Sequence, residues 1–584
     1  MWFRHYRTGR QTGSNRSRMR ILIFVLFAPV LVACTFQHVP GFASGLPSGH
    51  AVASAHPLAT RAGIEILEQG GNAFDAAVAV TAALAVVEPY SSGLGGGGFW
   101  LLHTAPDDRD VMLDGRETAP LAATRDMYLD DTGQPTGQSV AGPLAAGIPG
   151  VPAAIVHLSR NYGTLPLDAT LQEAIRLARE GFPVDTRYRE LAAFSMGRLR
   201  DSPRGGAIFL DHGEVPGEGF LLRQPQLARV LERIRDQGTD GFYGGEVARQ
   251  LVEGVRRAGG IWQLQDLARY RVRERQPVSA TYRNMSITSA ALPSSGGMVL
   301  VQMLNMLSLQ DLPPPGSVQR THAIVEAMRR AYLDRARHLG DPDFVKVPVR
   351  ELLSRSHASG LFADFDPGMA TSSRRLLDEY GIAGALDSAA GRDTTHFSII
   401  DREGNRVAAT LSVNFPFGSG FVPPGTGVLL NNEMDDFVIK PGYPNLYGLI
   451  GGQANAIEPG KRMLSSMSPT FLDDGRRVAV LGTPGGSRII TMVLLAALEF
   501  AEGGGVQAMV TRPRYHHQLV PDRIQFESGA FDPQLQAELT GLGHTLERLG
   551  RRYGNMQVVI WERETGRVTA ASDPRGTGSM EVGE

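Results

Sequence analysis

The chain has 584 residues with 58 basic against 60 acidic side chains, a balance that gives no electrostatic footprint for a nucleic-acid partner. Hydrophobic content of 42% with 69 glycines fits a globular protein rich in tight turns and excludes a disordered or fibrous one. The one cysteine, Cys34, excludes an intramolecular disulfide and a cysteine-built metal site.

The N-terminus reads as an export signal. Arg16, Arg18 and Arg20 precede ILIFVLFAPVLVAC, an apolar run too short to span a bilayer well and ending in small residues. Leu31-Val32-Ala33-Cys34 resembles the bacterial lipobox, so residues 1–33 are expected to be a lipoprotein-type signal peptide and Cys34 the lipidated mature N-terminus. The long preface points to Met19 as the start, and Thr35 after the cysteine points to the outer membrane. The protein is thus expected at the periplasmic face of a bacterial envelope, held by lipid alone.

An alanine-rich helix is predicted over 73–87, with Asn72 as N-cap, Asp75 in the first turn and Pro89 as its stop. The loop SSGLGGGG follows, then a strand, FWLLH. Gly93, Gly95 and Gly98 satisfy a dinucleotide-binding spacing, but the order is helix, glycines, strand, the reverse of what that fingerprint requires. Close backbone packing is the better account of them. From 165 to 380 the pattern is mostly helical, with packing helices predicted over 171–180, 224–236, 245–258 and 321–339.

At 394 the character changes to strands. Predicted strands over 397–400 and 407–413 flank the turn DREGN and form a hairpin, and 428–430 and 478–481 read as buried strands. A glycine-rich stretch, 441–452, reads as a mobile loop. Thr483-Pro484-Gly485-Gly486 then precedes an apolar helix over 489–500. Backbone amides at such a helix start form an anion or oxyanion site, although a Pro-Gly-Gly sequence is equally a plain turn. The adjacent His516 and His517 lack the spaced partners of a metal site and read as structural. Helices, hairpin and strand-turn-helix units together make a mixed α and β fold.

Chemistry is suggested most strongly by Asp393-Thr394-Thr395-His396. Were the Asp393–Thr394 bond cut, a threonine hydroxyl would stand beside its own freed α-amine, which titrates at about 7.7–8.0 and can act as its base. Thr-Thr is also what an ordinary strand entry looks like, and pattern alone does not choose between the two residues.

Eight segments in order, GGNAFDAAVA, EPYSSGLGGGGF, LDGRETAP, DTTHFSIIDREGN, LLNNEMDDF, KRMLSSMSPT, GTPGGSRII and ASDPR, make the chain resemble the γ-glutamyltranspeptidases, members of the N-terminal-nucleophile hydrolases, from about residue 50 to 574. The resemblance implies an α+β fold, a four-layer αββα sandwich, built from a precursor that cuts itself into two interlocked subunits. These would be a helix-rich large subunit, 34–393, and a strand-rich small subunit, 394–584, forming a heterodimer. Asp393 and Thr394 fall on the processing site, and Thr394 on the nucleophile. Ser412, where many members have threonine, falls on the next site hydroxyl, and Gly485 and Gly486 on the oxyanion-hole amides. Arg116, with Ser465 and Ser466, falls on positions that bind the substrate's α-carboxylate. Asn414, Glu433 and Asp436 fall on those that accept its ammonium; bacterial relatives often carry glutamine where this chain has Glu433. Tyr447 falls in the family's lid. The implied reaction cleaves the γ-glutamyl amide of glutathione and related compounds through a threonine ester, resolved by water or by an amino acid or peptide, without metal or cofactor. Two rivals are a cephalosporin- or glutaryl-type acylase on the same scaffold and a non-catalytic peptide-binding lipoprotein.

Overall fold

The computed structural model describes residues 45–379 and 394–584. The expected signal peptide, Cys34 and Asp393 lie outside the described residues. Among those described, no helix is long and apolar enough to cross a membrane.

Two antiparallel sheets pack face to face with helices on both outer sides. The seven-stranded sheet runs, edge to edge, Ser579–Gly583, His50–Ser54, Thr395–Ile400, Arg406–Ser412, Gly97–Thr104, Arg109–Gly115 and Arg273–Arg275. The six-stranded sheet runs Val568–Ser572, Gln557–Glu562, Arg477–Gly482, Thr470–Asp473, Met285–Ser289 and Val278–Tyr282. Strand alternation divides the apolar residues between layers. Phe99 and Leu101 join the core shared with Phe471, Val478 and Val480 of the other sheet, whereas Trp100 and Leu102 join the helices of the outer layer. The result is the expected αββα sandwich.

The buried strands read as near-continuous apolar runs because both faces are covered. The helix Ala73–Val87 lies under the first sheet with all fifteen residues buried. Its start is the predicted one: Asn72 Oδ1 accepts from the Phe74 and Asp75 amides at 2.9 and 3.0 Å, and Asp75 returns the bond to the Asn72 amide. The hairpin Thr395–Ile400 and Arg406–Ser412 also forms as predicted, closed by the Asp401–Asn405 turn.

The glycine run before strand Gly97–Thr104 is a matter of close approach. A Cβ on Gly96 would sit 2.2 Å from the Ser412 carbonyl oxygen, so only glycine lets this segment lie against the end of the Arg406–Ser412 strand. One expectation fails: 428–430 is not a strand of either sheet, and Leu430 makes only an isolated bridge to Gly95. The stretch read as mostly helical also supplies Arg273–Arg275, Val278–Tyr282 and Met285–Ser289, so each sheet takes strands from both sides of residue 394.

Candidate active site

Thr394 immediately precedes the strand Thr395–Ile400. Thr395 pairs with Leu411 and His396 with Thr410, so the register brings Thr394 opposite Ser412, and their hydroxyls lie 3.5 Å apart. The pleat then sends the two adjacent threonines to different surroundings. Thr395 donates its hydroxyl to Glu88 Oε2 at 2.5 Å and is fully buried, whereas Thr394 lines two cavities. His396 hydrogen-bonds Thr410 and Ser398, and burial lowers its pKa to about 3, so it stays neutral inside the sheet.

Gly485 and Gly486 adopt positive φ (145° and 58°) at the turn into the helix Ile489–Ala501. Among the described residues their N–H groups donate to no protein acceptor. Gly485 lines one cavity and Gly486 the other, with Thr394 common to both. A Cβ on Gly486 would lie 2.1 Å from Tyr447 Cε1, because the 441–452 loop folds over the site. Its Tyr447 hydroxyl donates to the Asn414 carbonyl at 2.6 Å, and Gln518 donates to the Tyr447 carbonyl at 3.0 Å.

The smaller cavity, about 290 Å³, is lined by Arg116, Asn414, Glu433, Asp436, Ser465 and Ser466 together with Thr394. Arg116, 1% exposed, donates to Glu433 Oε2 at 2.6 Å, to Asp436 Oδ2 at 2.5 Å and, through Nε, to the Met463 carbonyl at 3.2 Å. The cation expected to bind a carboxylate and two of the expected ammonium acceptors are therefore one network. Three of the five guanidinium N–H donors are committed, and two remain.

Glu117 adds a third carboxyl, 3.6 Å from Arg116 Nη1, with both oxygens buried and unpartnered among the described residues. Burial, reinforced by Glu433, pushes its pKa well above the carboxylate range. Burial also raises Glu433, against the pull of Arg116. Of the two, Glu433 has the arginine hydrogen bond, so Glu117 is the one pushed further toward its neutral form. The Arg116 guanidinium thus faces the Glu433 and Asp436 carboxyls, whose oxygens are acceptors for a ligand ammonium group. Asn414 has φ 76°, its backbone N–H donates to Ser412 Oγ at 2.8 Å, and its Nδ2 donates to the Asn432 carbonyl. Among the described residues no donor reaches its Oδ1, which leaves an acceptor for the same ammonium.

Arg335 is a residue that sequence reasoning missed. It is buried on the helix Val318–His338, donates to Ser295 Oγ at 3.0 Å and to Ser466 Oγ at 3.4 Å, and has no carboxylate partner among the described residues. Read as a charge on a packing helix, it in fact stands a second positive charge behind the serine pair. His516 and His517 hydrogen-bond Thr491, Gln518 and Asp522 in the core. Another cluster, His322, Glu326 and His544, gathers three ligand-type side chains that the sequence did not flag. Glu326 there accepts from Arg329, Arg330 and the Thr371 amide, so it belongs to an internal ion-pair network.

A threonine at the head of an inner strand, in an αββα sandwich with glycine amides beside it, defines the N-terminal-nucleophile hydrolase class. The gamma-glutamyltranspeptidase family profile matches residues 59–583. The glutathione hydrolase proenzyme of Escherichia coli is 41% identical over 538 residues, 91% of each chain. That of Pseudomonas sp. is 44% identical over 85% of this chain and 86% of its own. Cephalosporin acylase from Bacillus halodurans superposes with a TM-score of 0.79 at 27% identity, covering 95% of this chain and 99% of its own. Helicobacter pylori gamma-glutamyltranspeptidase gives 0.54 at 40% identity, over 56% of this chain and 93% of its own. The chain belongs to the γ-glutamyltranspeptidase family of enzymes.

Proposed function

We propose that the protein is a self-processing γ-glutamyltransferase and glutathione hydrolase in which Thr394 is both processing agent and nucleophile. The observation that carries this is a single cavity joining the Thr394 hydroxyl to a cluster of both charge signs, Arg116 with Glu433 and Asp436, suited to the two charged ends of an amino acid.

In maturation the Thr394 hydroxyl attacks the Asp393 carbonyl, the Asp393–Thr394 C–N bond breaks to free the α-amine and leave an ester, and water hydrolyses that ester to an Asp393 carboxylate and the restored hydroxyl. In turnover the same oxygen attacks the substrate's γ-carbonyl while its proton passes to the α-amine. The Gly485 and Gly486 amides hold the oxyanion; one such donor contributes about 3–4 kcal/mol. The C–N bond breaks, and the departing nitrogen takes that proton. The ester is then resolved by water or by the amine of an amino acid or dipeptide. Arg116, Ser465 and Ser466 hold the α-carboxylate. Asn414, Glu433 and Asp436 hold the ammonium, Ser412 supports the Thr394 hydroxyl, and Tyr447 closes the pocket.

The acylase reading shares Thr394 and the glycine pair and is favoured by the likeness to cephalosporin acylase. It gives no role to the Asn414, Glu433 and Asp436 oxygens gathered in the pocket, which are acceptors for an ammonium that such an acyl group lacks. The test is a denaturing gel with γ-glutamyl anilide turnover. Two fragments are expected from the natural chain, the smaller beginning at Thr394, and one inactive, uncut chain from Thr394→Ala. A natural chain that runs as a single full-length band defeats the reading. We also read residues 1–33 as a signal peptide and Cys34 as a lipid attachment site on an exported enzyme, supported by the lipobox-like sequence; N-terminal sequencing of the mature large chain decides it.

A further inference from the structure

Asp436 presents two oxygens, and only one of them is on Arg116. Oδ2 accepts from Arg116 Nη2 at 2.5 Å, and Oδ1 accepts from Asn445 Nδ2 at 3.2 Å. Asn445 belongs to the 441–452 loop. It lines a cavity of about 330 Å³ with Arg335 and Tyr443, which shares Asp436 with the Arg116 cavity, and it lines neither of the two cavities that hold Thr394. Whatever Asn445 does for a ligand of Arg116, it does through Asp436.

The loop fixes which end of the Asn445 amide meets Asp436. Asn445 Oδ1 accepts from the Tyr447 and Leu449 amides at 3.0 and 3.1 Å, and the Asn445 backbone N–H donates to the Leu449 carbonyl at 3.0 Å. The side-chain oxygen is thus spent inside the turn, and the NH₂ is left to face the carboxylate. Other bonds hold the loop in place without Asn445 Nδ2. The Leu446 amide donates to Asp435 Oδ2 at 3.0 Å, Asp435 Oδ1 accepts from Ser139 at 2.8 Å, and Tyr447 is held through its hydroxyl and its carbonyl. The bond from Asn445 to Asp436 therefore serves the pocket more than the loop. A carboxylate beside a guanidinium commonly closes on it with both oxygens. Asp436 uses one. Arg116 has two N–H groups left after Met463, Glu433 and Asp436 have taken one each. A second bond from Asp436 would take one of those two and would tie up the other oxygen of an expected ammonium acceptor.

We propose that Asn445 is a positioning residue of the donor site: by holding Asp436 Oδ1 it keeps Asp436 monodentate on Arg116, so that Arg116 retains its free N–H groups for the α-carboxylate of a γ-glutamyl donor and Asp436 stays open to the ammonium. The inference rests on the γ-glutamyl reading and deepens it. The loop that covers the site thereby also sets the geometry of the charges beneath it. Asn445 touches neither the donor nor the reacting atoms, so the chemistry at Thr394 is unchanged and the effect falls on binding.

The first variant is Asn445→Ser, whose hydroxyl still accepts an amide in the turn, more weakly, but is too short to reach Asp436. KM for γ-glutamyl p-nitroanilide and Ki for L-glutamate are both expected to rise about tenfold, the scale of one hydrogen bond to a charged group. The kcat should change by less than about twofold, as for an interaction made equally in the ground and transition states. A crystal structure of the variant should show both Asp436 oxygens on Arg116, a change that a merely structural role for Asn445 would not produce. Each variant is first checked for its two fragments on a gel. Should the serine variant fail to mature, Asn445→Asp takes its place: it keeps both turn acceptors, has no proton to donate at pH 8, and repels Asp436 toward Arg116, so the same rise in KM is expected. An unchanged KM and Ki, a fall in kcat as large as the rise in KM, or an Asp436 still monodentate in the variant overturns the proposal while leaving the γ-glutamyl reading intact. A natural enzyme that matures but neither turns over the anilide nor is inhibited by L-glutamate strikes the γ-glutamyl reading itself, and the Asp436 geometry in the variant structure is then judged separately.

Discussion

Replacing Gly486 by alanine probes the contact between the proposed oxyanion turn and the proposed lid. The added Cβ would lie 2.1 and 2.2 Å from Tyr447 Cε1 and Cδ1, where ordinary carbon contacts are about 3.5–4.0 Å. The ring must therefore move by roughly 1.5 Å, enough to break its 2.6 Å hydrogen bond to the Asn414 carbonyl. Losing that bond costs about 1 kcal/mol, and an alanine at the φ of 58° costs roughly another 1–2 kcal/mol. Either the lid lifts or the turn shifts. A shifted turn misaims the proposed oxyanion donor, a kind of group typically worth about 3–4 kcal/mol, so kcat on γ-glutamyl anilide should fall by about 10²–10³. The control is the same change made in a Tyr447→Ala background, where the methyl has room. There Gly486→Ala should cost at least about tenfold less, the mark of two coupled positions. All four proteins are assayed after complete cleavage, checked on a gel. Equal losses in both backgrounds would refute the steric argument and leave only backbone strain.

Thr395→Val should still mature and turn over, losing only the buried bond to Glu88, about 1–3 kcal/mol of stability read by thermal melting; an uncut Thr395→Val chain would move the processing role to Thr395. Arg116→Lys should chiefly raise KM for the donor, because a lysine cannot hold Glu433, Asp436 and a carboxylate together; an unchanged KM rules out its binding role. Arg335→Gln should likewise raise donor KM with a smaller effect on kcat, since it acts through Ser466; an equal loss with a donor lacking the α-carboxylate would make it structural. Burial lowers His56 and His517 to about 4 and His396 and His544 to about 3. Between the ordinary histidine value near 6.5 and these folded values the unfolded chain binds more protons, so stability falls as pH is lowered through that window. The limiting slope is about 1.4 kcal/mol per pH unit for each histidine. Urea midpoints between pH 7 and pH 4 check the direction, and a midpoint that rises on acidification contradicts it.

The sequence by itself determined whatever depends on neighbours along the chain. The helix Ala73–Val87 starts at Asn72 and ends before Pro89 because capping and termination are local, and the hairpin after Thr395 forms around a turn written in DREGN. It also carried the ordered motifs that gave the family. It did not give Val278–Tyr282 and Met285–Ser289, nor the strands Gln557–Glu562 and Val568–Ser572, which earn their place only by pairing with distant segments. In the site, Arg116 and its two carboxylates stand 317 and 320 residues apart, and no spacing rule reaches that far. Arg335 looked like any other charge on a helix until packing turned it toward Ser466. The choice between Thr394 and Thr395 came from resemblance alone, and what the fold adds is that the pleat gives the two different surroundings. Successive side chains leave a strand on opposite faces, so Thr395 is taken up by Glu88 within the fold while Thr394 meets both cavities.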